Sequence, residues 1–308
     1  MNLADILIVV FGLAFFEIVS SLDNSVVNAD ILNTIEPRWR KWFLRYGLIF
    51  AVFGVRGLLP LFIIYFSSPG LGLYQSFAAT FGSNAGAKEI IQKQTPILLA
   101  GGGIFLLFLF LHWFFLETKK YVFFIEKKIH ERYYFWFYAL AAIILLSVVW
   151  LTIKINPLIA LGAVAGSTAF FIVNGFKSNA EGQEKKITGG NISNFSKVLY
   201  LELIDATFSL DGVLGAFAFT ISVPLILIGN GIGAVVVRFF TVRGAKFIQK
   251  YSYLKNGAMY SMALLGIIMI LESLGTHIYA WLAPLTTFIF VGFFLLLSFK
   301  GSKERINP

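Results

Sequence analysis

Nine apolar runs, each of roughly 17–25 residues, punctuate this chain near 5–27, 44–66, 96–116, 134–153, 157–176, 198–219, 223–242, 256–273 and 279–299. No other feature limits the fold so severely. A run of that length, wound as a helix, covers the roughly 30 Å hydrocarbon core of a bilayer. Inside lipid the backbone must satisfy its own hydrogen bonds, so such runs cross as helices. With 58% hydrophobic and 13% charged residues, a water-soluble domain is excluded. The expectation is an all-α, polytopic membrane protein. It forms a single transmembrane domain over 1–308, with about nine spans and the lipid bilayer as surroundings. The opening MNLADILIVV has no basic n-region and carries Asp5, so it reads as a retained first span and not a signal peptide. Cysteine is absent, which removes disulfides and thiolate ligands.

Lysine and arginine distribute unevenly between the loops. Twenty of the 25 fall on one side, in the 28–43 loop with its edge at Arg45, the 117–133, 177–197 and 243–255 loops and the tail. Lys177 is counted there as a loop residue. Lys88, Lys93 and Lys154 fall on the other side, and Arg56 and Arg238 lie inside spans. The basic side of a membrane protein faces the cytoplasm. The N-terminus is therefore expected outside and the C-terminus in the cytoplasm. The net charge of +9 follows from this topology and needs no nucleic-acid partner.

Phe15–Asn28 reads FFEIVSSLDNSVVN, with Glu17, Ser20, Ser21, Asp23, Asn24 and Asn28 in an apolar setting. The pattern returns as LELIDATFSLDGVLG at Leu201–Gly215. Aligning the two Ser-Leu-Asp triplets sets Glu17 against Asp205 and Asp23 against Asp211. Acids in spans are costly and mark function by default. The match extends further: Arg56 in the second span answers to Arg238 in the seventh, and Gly101–Gly103 to Asn256–Ala258. A first repeat unit at 5–117 and a second at 198–273 are expected. A helix hairpin at 134–176 joins them, and a final span at 279–299 follows. The offset of five spans is odd, so the units must point in opposite directions across the membrane, a common transporter plan.

On a continuous helix Glu17, Ser20, Ser21, Asn24 and Asn28 share one face, with Asp23 about 120° away. In the second copy Glu202, Asp205, Ser209 and Gly212 share a face, with Asp211 off it. Either each aspartate meets a different neighbour, or the helix loosens at Ser-Leu-Asp. Both options supply oxygen ligands alone, which suits magnesium, calcium or manganese. None of the three histidines or four methionines lies in the motifs. Glu17, Asp23, Asp205 and Asp211 against Arg56 and Arg238 leave two negative charges, which a divalent ion would neutralise. The competing structural explanation is that acid–arginine pairs merely lock helices. Serine hydroxyls in helices commonly bond back to the preceding turn. Glu117, Glu272, His112 and His277 read as packed or interfacial groups, and the aromatic stretch 121–138 as an interface belt. Gly101–Gly103 reads as close helix packing.

At FFEIVSSLDNSVVNA (Phe15–Ala29), LIDATFSLDGVLGA (Leu203–Ala216), GIGAVVVR (Gly231–Arg238) and YLKNGAM (Tyr253–Met259) the chain resembles the TerC family of integral membrane proteins, named for tellurium resistance. It is most similar to a branch of that family without an assigned function. The resemblance implies a multi-pass protein of the bacterial cytoplasmic (inner) membrane, akin to cation exporters, some of which move manganese. It maps the family's motif residues onto Glu17, Asp23, Asn24, Asp205 and Asp211. The chain departs from the pattern where Gly212 and Val213 follow Asp211.

The expected function is export of a divalent cation, manganese first, by alternating access coupled to protons. Glu17, Asp23, Asp205 and Asp211 would bind the ion, with Asn24 and Ser209 as neutral ligands. Arg56 and Arg238 would hold the empty carboxylates. The cation is cargo and no cofactor is expected. No nucleotide motif is visible. The alternatives are a non-transporting scaffold in metal or tellurite resistance and, further off, an intramembrane aspartyl protease. That enzyme's Gly-x-Gly-Asp signature is missing, so the expectation is no enzyme.

Overall fold

The computed structural model describes residues 3–21, 25, 28–29, 31–67, 72–81, 85–117, 119, 121–123, 126–128, 133–189, 192–243, 253–279 and 281–303. Every described regular element is helical. In chain order they are α1 (Leu3–Ser20), α2 (Pro37–Trp42), two π-helical stretches (Phe43–Gly47 and Phe50–Val55), α3 (Arg56–Ser67), α4 (Leu73–Phe81), α5 (Ala85–Leu116), α6 (Trp136–Thr152), α7 (Pro157–Gly189), α8 (Asn194–Ala216), α9 (Val223–Arg243), α10 (Leu254–Ser273) and α11 (Leu282–Lys303). The protein is an all-α, polytopic membrane protein.

Among the described residues, seven helical stretches are long and apolar enough to cross a membrane: Leu3–Ser20, Pro37–Phe62, Gln92–Leu116, Pro157–Asn179, Val223–Thr241, Leu254–Ser273 and Leu282–Phe299. The other two expected spans are also helices. α6 is apolar but short, at 17 residues. α8 has 23 residues but carries Lys197, Glu202, Asp205 and Asp211, too many charges to stand out by hydropathy. Lys177 corrects the loop count. It is not in a loop, and neither are Lys185 and Lys186, because α7 runs on past the expected end at 176 to Gly189, while Lys197 lies in α8.

Local sequence sets the ends. Asn156 caps α7, its side-chain oxygen accepting from Leu158 N–H at 2.9 Å, with Pro157 in the first turn. Ser193 caps α8, accepting from Ser196 N–H at 3.2 Å. α10 stops at Gly275, whose φ of 92° is open to glycine alone at no steric cost. There Thr276 N–H reaches Leu271 O at 3.1 Å and Gly275 N–H reaches Glu272 O at 2.9 Å, a Schellman ending. Lys119 closes α5, donating to Trp113 O at 3.0 Å and Phe114 O at 2.7 Å.

α5 is the central post. It packs along α7 on one side and α10 on the other, while α1 packs along α9 and α10 along α11. Small residues permit these approaches. A Cβ on Gly101 would meet Gly162 O at 2.9 Å, and one on Gly103 would meet Gly266 O at 2.9 Å. The glycine triplet thus does the packing expected of it. Phe105, Phe108, Trp113, Phe137 and Phe170 fill the core around α5. Beyond the end of this post, Glu117 accepts from Lys255 at 2.7 Å and faces His112 Nδ1 at 3.5 Å. Burial alone would raise the Glu117 pKa, but His112 and Lys255 outweigh it and bring it down to about 2. Burial pushes the Lys119 ammonium down to about 8, against the pull of Glu126 and Glu117.

Candidate functional site

Two acid–arginine pairs lie inside the helix bundle. Glu17 on α1 accepts from Arg56 Nη2 at 2.5 Å, and Asp205 on α8 accepts from Arg238 Nη2 on α9 at 2.8 Å. In each, the acid of a motif meets the arginine of the following span. Glu17 lies within electrostatic range of Asp205, so the two pairs belong to one polar centre.

Each pair is seated on the other half of the chain. Glu17 occupies a slot cut by two glycines. A Cβ on Gly212 of α8 would collide with its Oε2, and one on Gly233 of α9 would collide with its Cβ. Ser21 Oγ donates to Glu17 Oε1 at 2.9 Å. Asn230, fully buried on α9, directs its amide at Gly212 O at 3.5 Å. Conversely, the Arg238 guanidinium lies over the ring of Phe43 at 3.9 Å. Glu202, one turn before Asp205, fills the space that a Cβ on Gly47 would take.

The π-helical stretches explain how Arg56 reaches Glu17. Arg56 stands eighteen residues after Arg38, about five α-helical turns, so an ideal α-helix would give both the same face. Arg38 is exposed, whereas Arg56 is 3% exposed. Two stretches bonded i to i+5 insert extra residues per turn and bring Arg56 round to the interior.

Several buried polar atoms here have no hydrogen-bond partner among the described residues. They are Glu17 Oε2, Arg56 Nε and Nη1, Arg238 Nη1, Asn230 Oδ1, Asp211 Oδ1 and both carboxylate oxygens of Glu202. Natural proteins leave few such atoms, and each one asks for an explanation such as strain, a catalytic role or an ion.

Of the expected ligands, Glu17 and Asp205 lie within electrostatic range of each other, Glu17 paired with Arg56 and Asp205 with Arg238. Asp211 does not join them. α8 is continuous through Ser209-Leu210-Asp211, so Asp211, six residues beyond Asp205, meets a different neighbour: Lys177 Nζ of α7, at 2.6 Å. Lys177 was not expected at a site, and it offsets one of the two excess negative charges counted on the sequence. Ser209 donates to Asp205 O at 2.6 Å, the back-bonding common for serine in helices. Asp23 and Asn24 lie outside the described residues. Among the described residues no three His, Cys, Asp or Glu side chains group as a metal site.

Reading by motif missed Lys177, Asn230, Gly233 and the contact of Glu202 with Gly47. Asn230 and Gly233 had a signal, since Gly229-Asn230-Gly231-Ile232-Gly233 interrupts an otherwise apolar span.

A family model described as Protein of unknown function (DUF475) matches residues 22–305. The chain belongs to the DUF475 family. The matched stretch of this DUF475 protein includes Arg56, Lys177, Glu202, Asp205, Asp211 and Arg238. No curated protein and no solved structure matches the chain significantly.

Proposed function

We propose that this DUF475 protein is a secondary transporter that exports a divalent cation, manganese first, across the cytoplasmic membrane. The observation that carries the reading is the paired placement of Glu17–Arg56 and Asp205–Arg238, two buried ion pairs within electrostatic range of each other and rich in unpartnered polar atoms. Four charges in a bilayer interior need a purpose. In this reading the arginines hold the carboxylates while no cation is bound. An arriving cation displaces them, and Glu202 stands ready as a further oxygen ligand beside Asp205. Hard oxygen donors suit manganese or magnesium better than zinc or copper. Asp23, Asn24, Ser209 and Asp211 stay in the proposed ligand set, the last only after leaving Lys177. Proton coupling belongs to the same proposal.

The packing supports the inverted-repeat reading. α1 touches α11, α10 and α8, while α8 in turn touches α7, α5 and α1. Seats exchanged between the two halves suit a mechanism in which one half rocks on the other. A place within the TerC family belongs to the same proposal and rests on the motifs at Phe15–Ala29 and Leu203–Ala216.

A second reading has a specific observation in its favour. Glu17, Asp205 and Asp211 each already have a basic partner, as a static helix lock or a non-transporting scaffold would have. Manganese efflux from proteoliposomes separates the two. The transporter reading expects efflux from wild type and none from Asp205→Asn at equal protein density; wild-type protein without flux of any divalent cation sinks it. Orientation is tested by single cysteines in this cysteine-free chain. A cysteine at Asn156 should label from outside in intact cells, and one at Glu36 only after permeabilisation.

A further inference from the structure

Two cavities meet along the second span. The first, an open cavity of about 920 Å³, is lined by Arg38, Lys41, Trp42, Arg45 and Tyr46. The second, about 310 Å³, is an apolar groove with Val52 and Phe53 on one wall and Ile228, Gly231 and Val235 of α9 on the other. Leu48 and Ile49 line both, so they form one continuous surface. Along it the chemistry changes in a fixed order. Three cations and two aromatic rings interleave over Arg38–Tyr46 at the end nearest the start of the span, and hydrocarbon alone follows. Arg38, Lys41 and Arg45 are all exposed, and none has an acid among the cavity's lining residues.

We propose that this surface is a binding site for an anionic phospholipid, whose phosphate sits among Arg38, Lys41 and Arg45 and whose acyl chain lies in the groove between the second span and α9. Charge complementarity selects the anionic headgroup, because basic pockets beside spans attract such lipids. Trp42 and Tyr46 are amphipathic rings of the kind that favour the headgroup boundary. The apolar groove adds a requirement that a free phosphate cannot meet. Gly231 keeps the groove open, its absent side chain leaving room beside Val52. The site does not depend on the transport reading. A lipid seated there would press on the π-helical stretches that place Arg56.

Native mass spectrometry of the purified full chain, titrated with phosphatidylglycerol or phosphatidylcholine, tests this. Phosphatidylglycerol should bind in preference by about tenfold or more. The variant Arg38→Gln/Lys41→Gln/Arg45→Gln should lose that preference, while Lys127→Gln/Lys128→Gln, on another basic loop, should keep it. Gly231→Phe should weaken retention of phosphatidylglycerol by blocking the groove with all three cations in place. No preference in wild type overturns the proposal, and so does a preference that survives the triple substitution. Equal loss in the Lys127/Lys128 control would show general charge attraction and no site. Full competition by glycerol phosphate would show an anion pocket without a lipid.

Discussion

The pairs Glu17–Arg56 and Asp205–Arg238 have the same chemistry and different enclosures. The first is sealed: its side chains are 1% and 3% exposed, and two glycines wall the carboxylate in. The second is looser, at 13% and 8%. There the arginine leans on an aromatic ring, and a second acid, Glu202, lies within its electrostatic reach. A sealed pair has one arrangement open to it. An arginine between two acids has two. If one pair opens first to admit a cation, the enclosure picks Asp205–Arg238.

Breaking the sealed pair should have the largest effect. Glu17→Gln leaves the Arg56 guanidinium buried without a carboxylate, and arginine cannot discharge itself by losing a proton. The expected cost is about 3–5 kcal/mol, read as a fall in membrane abundance and thermal stability. Glu17→Gln/Arg56→Gln should recover most of that stability without restoring efflux. Recovery of efflux would show that the pair only locks helices.

Asp205→Asn should cost less stability than Glu17→Gln, because Glu202 can take over Arg238. Adding Glu202→Gln should then bring the loss up toward that of the sealed pair. Thermal stability of the three variants in one detergent checks the order; equal losses for both single variants would erase the distinction between the pairs.

Asp211→Asn should be the mildest of the acid replacements. Its partner is a lysine two residues before the apolar part of α7 ends at Asn179, with a flexible stem that can carry the ammonium toward the interface. Near-normal abundance is expected. A loss as large as that of Glu17→Gln would place Lys177 deeper and more tightly held than its position suggests.

The smallest effect lies outside the spans. Glu117, held down to about 2 by His112 and Lys255, contributes stability that is fully present above its unfolded value near 4.5 and is lost as pH falls through about 2. The stability difference between wild type and Glu117→Gln should therefore be constant at neutral pH and shrink from about pH 4.5 downward. A difference that grows on acidification would reverse the sign of the argument.

The spans were legible because lipid imposes one requirement on twenty residues at a time. α8 is the exception, since its charges dilute its hydropathy and the motif it carries marked it instead. That Arg56 and Arg238 would face the motif acids was legible from the matching order of acid and arginine in the two motifs; which of the four acids each would meet was not. Lys177 was not, because helix α7 leaves the hydrocarbon without ending, and hydropathy marks only where the lipid stops. Gly233 and Gly47 were not, because a glycine that makes room for a carboxylate looks like any other glycine until the facing helix is known. The π-helical winding has no hydropathy signal at all, since a lipid-facing stripe tolerates apolar residues in any phase.

That winding gives the second span a phase slip. A π-turn holds one residue more than the α-turn it replaces. Shortening Phe50–Val55 by one residue would let that stretch wind as an ordinary helix and still deliver Arg56 to Glu17. Lengthening it by one would turn the guanidinium away. The protein should therefore forgive a deletion here more readily than an insertion, the reverse of what a surface loop tolerates.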